Sequence, residues 1–480
     1  MLLRLLTLGT VSFLLISSGQ LVWANVPSVL AQAEAETIEP EADDAAETTA
    51  PEVVPAAENT ESEPSGEQVG EESLDAVDQL ILTGLSQYEN RDLAAAKTTL
   101  EQALTAARDN ENQPQEAFTL TMLSVITVNQ ADYNSAADYG QQATTALEGV
   151  DDPQSAVVAL NVQARAAQGL GNLSEAVTYG QEALQLAESI EFDSGKLNSL
   201  HILATTFAAV DQYPLALEAA QQAIPLAQQE RDGDILLSSL NVASSSLLAL
   251  DEHETALTAA EDALNIATQL ENDRGRAFAL NHQGIAHYHL SNLDKAIELQ
   301  TEALKLAEDL GVVDVQFTAL YTLALAHYDQ DDVDTAIKFY QQRLDLSRDV
   351  EALGAELQSL LWLGSAYLDS EQYQAAIASF NELLDLSKDR NQPLFQRWGL
   401  SGLGFAHFQL ADYPVAQGHF EQALELSQTI GDRGAEFEFL NLLAEVHQAQ
   451  NNTEQAQTYA TQAEELRSEV EAEANDETDE

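Results

Sequence analysis

Apolar and polar positions along this chain return in the same order every 40 residues. Leucine stands at Leu80, Leu120, Leu160, Leu200, Leu240, Leu280, Leu320, Leu360, Leu400 and Leu440. Alanine stands sixteen residues later each time, from Ala96 and Ala136 to Ala416 and Ala456. Four residues after each leucine sits a small side chain, as in Gly84, Ser124, Ala164, Gly284, Gly364 and Gly404. Within a unit, apolar or small residues fall at i, i+3, i+4 and i+7, for example Leu360, Leu363, Gly364 and Tyr367. That spacing predicts one face of an α-helix.

A second helix is predicted from the alanine onward, with its core column continuing at i+7 and i+8, as in Ala296, Ala303 and Leu304. Alanine holds the i+7 position in eight of ten units; Arg343 and Leu383 are the exceptions. Closely crossing helices leave little volume there, and overfilling such a contact costs about 1–3 kcal/mol. Gly171-Asn172, Ser291-Asn292 and Asn451-Asn452 mark the turns. Pro214 and Pro414 fall in the first turn of a second helix, where a missing N–H is harmless. Pro225 lies inside such a helix and is expected to kink it or end it early. A fixed period of this length predicts an all-α solenoid of about ten helix-turn-helix repeats over residues 73–472.

The same columns resemble the tetratricopeptide repeat, whose hairpin carries a small residue at its eighth position and alanines at its twentieth and twenty-seventh. Gly284, Ala296 and Ala303 stand at those places in one unit, and Gly404, Ala416 and Ala423 in another. The aromatic residue before the twentieth position appears as Tyr133, Tyr213, Tyr373 and Tyr413. The family's usual terminal proline is absent, and the period is 40 instead of 34, which is similar to the repeats of kinesin light chains and G-protein-regulator proteins. The resemblance implies a right-handed superhelix whose first helices line a concave, protein-binding surface.

It also implies which residues face that groove. The column after the leucine supplies Asn161, His201, Asn241, Asn281, Tyr321 and Asn441. Asparagine at this place resembles the kinesin-light-chain pattern, where it holds the backbone of an extended peptide. One amide both donates and accepts, so it matches a peptide group of any sequence. Further along the first helices, Tyr288, Tyr328, Phe405 and Phe408 are expected to build an aromatic inner wall; packing between helices is the competing account.

Outside the repeats, Arg4 precedes an apolar run from Leu5 to Ile16, too short for a membrane span and suited to an export signal. Ala31-Gln32-Ala33 offers a cleavage site, giving a signal over residues 1–33; an uncleaved anchor is the alternative. Residues 34–72 form an acidic linker without Lys or Arg, and residues 473–480 an acidic tail. The expected location is therefore periplasmic or extracellular. Cysteine is absent, which excludes disulfides, thiolate metal sites and a lipid-modified cysteine.

Nineteen basic residues face 80 acidic ones, for a net charge of −61. Phosphate backbones are repelled by such a surface, which excludes nucleic acid as a partner. The expected partner is a protein or extended peptide, neutral or basic, with no cofactor and no catalysis. No nucleophile elbow, phosphate-cradling glycine loop or HExxH motif is present. His287, His327, His407 and His447 share one column, but equivalent positions in neighbouring repeats lie on the order of 10 Å apart, too far to share a zinc ion, and packing is their expected role. A scaffold that recruits its partner in the groove is the leading expectation. A peptide-sensing regulator and an acidic, ion-buffering envelope protein are the alternatives.

Overall fold

The computed structural model describes residues 75–478; the expected signal (1–33) and acidic linker (34–72) lie outside them. Twenty helices and no strands occur among the described residues. They pair into ten hairpins, from Ala76–Glu89 with Leu93–Asp109 in the first repeat to Arg433–Ala449 with Thr453–Thr478 in the tenth. The last helix runs through most of the stretch assigned to the acidic tail. By internal contact the described residues divide into two compact units, one ending at Gln283 and the other starting at Gly284. Each is an α-solenoid in which consecutive helices pack in order.

A short junction ends one helix and starts the next. The residue after the helix end is left-handed at Arg91 (φ 61), Glu111 (φ 55), Glu191 (φ 55), Glu271 (φ 53) and Glu351 (φ 55), and glycine takes this place at Gly171, Gly311 and Gly431. The next N–H then reaches back five residues: Asp92 N to Gln87 O at 2.9 Å, Asn112 N to Ala107 O at 2.9 Å, Asn272 N to Ala267 O at 2.8 Å. This satisfies a carbonyl at the helix end, as in a Schellman motif. The same Asp or Asn caps the following helix. Asp92 accepts from Ala95 N (3.0 Å), Asp232 from Ile235 N (2.9 Å) and Asp432 from Ala435 N (3.0 Å). Part of the chain's acidity is therefore helix-capping chemistry. The connection through Gly149 is longer than the others.

The repeating columns form the core. Nine of the ten column alanines, Ala96 to Ala416, are fully buried, as are eight of the ten leucines; Leu80 and Leu160 are half-buried. In the last helix, Ala463 and Leu466 are buried while Thr453, Glu464 and Arg467 face solvent. Pro214 and Pro414 sit in the first helical turn. Pro225 does not end its helix, which continues to Glu230. The reason is its position: Pro225 and Gln221, whose carbonyl loses its partner, both lie on the solvent side, where water replaces the missing N–H.

Three of the four column histidines stack on rings of the second helix of their own hairpins. His327 lies 5.5 Å from Phe339, His407 5.6 Å from His419 and His447 5.4 Å from Tyr459, between ring centres. Among the described residues no helix is long and apolar enough to cross a membrane.

Candidate functional site

First and second helices bury different amounts of surface. A second helix such as Leu173–Ser189 buries one stripe: Ala176, Gly180, Ala183 and Ala187. The first helix of the second repeat, Gln113–Asn129, buries every residue from Thr119 to Val128. In the unit ending at Gln283, first helices of successive repeats also touch one another. Side chains on that side are thus held on several sides, the condition for a site of fixed geometry.

One cleft lies on this side, across the first helices of repeats two, three and four. Val125 and Val128 line it from Gln113–Asn129, Val158 and Val162 from Pro153–Gly169, and Ile202 from Asp193–Ala209, with Phe192 just before that helix; Val158 and Phe192 are half-buried and the other four are buried. Asn129, Asn161, Asn198 and Arg165 supply its polar groups. Asn161 spans two repeats: its Nδ2 donates to Gly195 O (3.2 Å), and its Oδ1 accepts from Ser199 Oγ (2.8 Å). Asn198 Nδ2 donates to Ser194 O at 2.9 Å. Asn129 Nδ2 donates to the Tyr88 hydroxyl at 3.1 Å, while its Oδ1 is buried without a partner.

Arg165 is the exceptional group. No hydrogen bond or ion pair reaches its guanidinium among the described residues. Burial holds its pKa below the ordinary arginine range, opposed by weaker effects of Tyr133 and Tyr88. It nevertheless remains a cation at neutral pH. Close by, burial and then the Arg165 charge push the enclosed His201 down to about 4, so its ring is neutral. The cleft therefore combines an apolar lining with one half-buried positive charge that no described residue pairs.

The other expected groove residues fall in several places. Asn281 is buried. Asn241 is half-buried, and its Oδ1 has no hydrogen-bond partner. In the C-terminal unit, Asn441 Nδ2 donates to Phe437 O of its own helix at 2.9 Å. Tyr288 donates to Asp329 Oδ2 at 2.9 Å and Tyr328 donates to Asp369, each tying a first helix to the next. Tyr321 packs 6.0 Å from Trp362 and lies under the Arg343 guanidinium at 5.6 Å; burial raises its pKa to about 12. Phe405 is a core residue, edge-on to Phe420 at 5.4 Å, and Phe408 packs against Tyr413 at 5.4 Å. The structure thus places Asn161 in the lining of the Arg165 cleft and His201 within reach of the Arg165 charge but outside that lining, and gives most of the aromatic set packing roles.

The valines, Phe192 and Ile202 were not singled out by sequence: the columns of Val125, Val158 and Phe192 vary from unit to unit, while Val162 and Ile202 share a column that is apolar from Leu82 to Val242 and reads as core. The Arg165 column reads Leu85, Val125, Arg165, Thr205, Ser245, Ile285, Leu325, Ser365, Phe405 and Glu445. Its single cation was the available signal.

Comparison with known proteins agrees with the architecture. Tetratricopeptide-repeat family models match residues 154–229, 235–309 and 396–469, and others of the same description match 319–352 and 357–390. No curated protein sequence matches the chain. Among solved structures, a signal-transduction ATPase with numerous domains and a tetratricopeptide repeat sensor, from Pyrococcus horikoshii, is similar at 14% identity and TM-score 0.49. That alignment covers 67% of this chain and 50% of the other, so the chain spans half the length of that protein. The apo quorum sensor NprR from B. thuringiensis is similar at 14% identity and TM-score 0.49, covering 82% of this chain and 98% of that one. A Rap protein complexed with competence and sporulation factor is similar at 13% identity and TM-score 0.46, covering 75% and 99%.

Proposed function

Because the chain belongs to the tetratricopeptide repeat family, we propose that it is a non-catalytic scaffold holding an extended segment of a partner protein across the first helices of repeats two to four. The cleft of valines, Phe192 and Ile202 around Arg165 carries this reading, since it crosses the first helices of three successive repeats. An extended strand rises about 3.3 Å per residue, so a short segment spans helices packed 8–10 Å apart. The surplus of acidic residues keeps the surface solvated and supplies helix caps.

Selection of peptides from a random display library against the full chain tests the groove. Selected peptides are expected to lose binding to Val162→Asp while that variant melts cooperatively and retains its helical spectrum. Peptides indifferent to Val162→Asp would place recognition elsewhere and overturn the reading. We further propose that residues 1–33 direct export. N-terminal sequencing of the mature protein should then begin at Glu34, and an intact Met1 in the cytoplasm would refute it.

A further inference from the structure

Enclosed arginines elsewhere in this chain are engaged. Arg397, with a side chain 7% exposed, places Nη1 2.6 Å from Asp432 Oδ2. Arg343 donates to Ala355 O (3.0 Å), Ser359 Oγ (2.8 Å) and Gln358 Oε1 (3.1 Å). Arg165 has no such partner among the described residues, although acidic residues outnumber basic ones by 80 to 19. A partly desolvated cation without a counter-charge carries a cost, and the native chain retains it here. The five guanidinium donors form a planar fork that fits a carboxylate.

We propose that the cleft, taken as the groove described above, selects an extended segment carrying one acidic side chain between apolar residues, and that Arg165 receives its carboxylate. Apolar lining continues on both sides of the Arg165 helix, through Val125 and Val128 in one direction and Phe192 and Ile202 in the other. The ligand therefore runs past the charge on both sides, which fits an internal side chain and not a chain end. The field of a −61 protein opposes a run of acidic residues, so one carboxylate among apolar neighbours is the favoured pattern. Net charge alone pointed to a neutral or basic partner; the cleft has the opposite local sign.

An array of nine-residue peptides, blocked at both ends and built from Leu, Val and Ala around a central Glu, Gln or Lys, is probed with the labelled full chain. A second set carries a free C-terminal carboxylate and no acidic side chain. Central Glu is expected to bind at least tenfold better than Gln, and Arg165→Gln to level that ratio without weakening the Gln peptides. Arg165→Lys, which keeps the charge but loses the fork, should lower the ratio severalfold and guards against misfolding of the Gln variant. A ratio that survives Arg165→Gln overturns the proposal, as does preference for the free-terminus set. Equal binding of Glu and Gln peptides that Val162→Asp abolishes overturns carboxylate selection and leaves the groove standing. No binding above the Val162→Asp background overturns both.

Discussion

Gly364 faces the ring of Phe380 across the hairpin of the eighth repeat, so closely that a Cβ at 364 would lie 2.7 Å from Phe380 Cε1. Equivalent positions elsewhere follow the same rule of compensating volume. Gly84 faces Leu100, Gly284 faces Gln300 and Gly404 faces Phe420. Where the first helix carries Ala204 or Ser244, the second carries Ala220 or Ala260. The small column thus makes room for one particular side chain of the partner helix. Gly364→Ala is expected to destabilise the C-terminal unit by about 1–3 kcal/mol, the usual cost of overpacking. In a double-mutant cycle, the added cost of Gly364→Ala should largely vanish in a Phe380→Ala background, measured by denaturant unfolding. Additive effects would disprove the pairing.

A second prediction concerns the junctions. Glu111, Glu191, Glu271 and Glu351 are left-handed, a conformation that disfavours a Cβ by about 1–2 kcal/mol. Glycine removes that strain but loses about 0.4–1 kcal/mol through the unfolded chain. Each Glu→Gly change should therefore stabilise by roughly 0.5 kcal/mol, and all four together by about 2 kcal/mol. Thermal melts of the quadruple variant test this; an unchanged or lower Tm would show that the junctions carry no such strain.

Glu438 supplies a pH dependence. Burial raises its pKa to about 7, with Arg397 opposing and Asp432 reinforcing the shift. A carboxyl that binds its proton more tightly when folded favours the folded state fully below its unfolded pKa, near 4.5. That advantage is lost as pH rises through about 7. Glu438→Gln should thus match the parent in Tm at pH 4.5 and exceed it at pH 8. A constant offset between the two melting curves across that range would contradict the assignment.

The architecture was legible in the sequence because a packed interface demands the same volume each time it recurs. Ala296 and Leu360 announce helices for that reason, and both are buried where the columns place them. Glu271 and Asp331 gave no sign of their left-handed backbone, since nothing in those residue types requires it. The cleft was less legible still. Val125, Val158 and Phe192 break the periodicity, and positions that vary between repeats are where a repeat array can differentiate one site from the next. Tyr288 and Tyr328 were grouped with the groove by their spacing; spacing cannot reveal that Asp329 and Asp369 hold their hydroxyls.

Arg165 and Arg397 offer the sharpest contrast between a functional and a structural charge. Arg397 is paired with Asp432, so Arg397→Met leaves a partly buried carboxylate without its cation, a loss of about 1–3 kcal/mol. Among the described residues Arg165 has no partner to abandon. Arg165→Met exchanges a half-buried guanidinium for a thioether among Val125, Val162 and Ile202, and should raise stability by about 1 kcal/mol. Thermal and denaturant melts of the two variants are therefore expected to shift in opposite directions. The more stable Arg165→Met variant should also lose its preference for acidic peptides, which is how a residue kept for recognition against its structural cost behaves. A destabilised Arg165→Met variant would mean that the guanidinium holds the repeats together, and the carboxylate-receptor assignment would lose its physical basis.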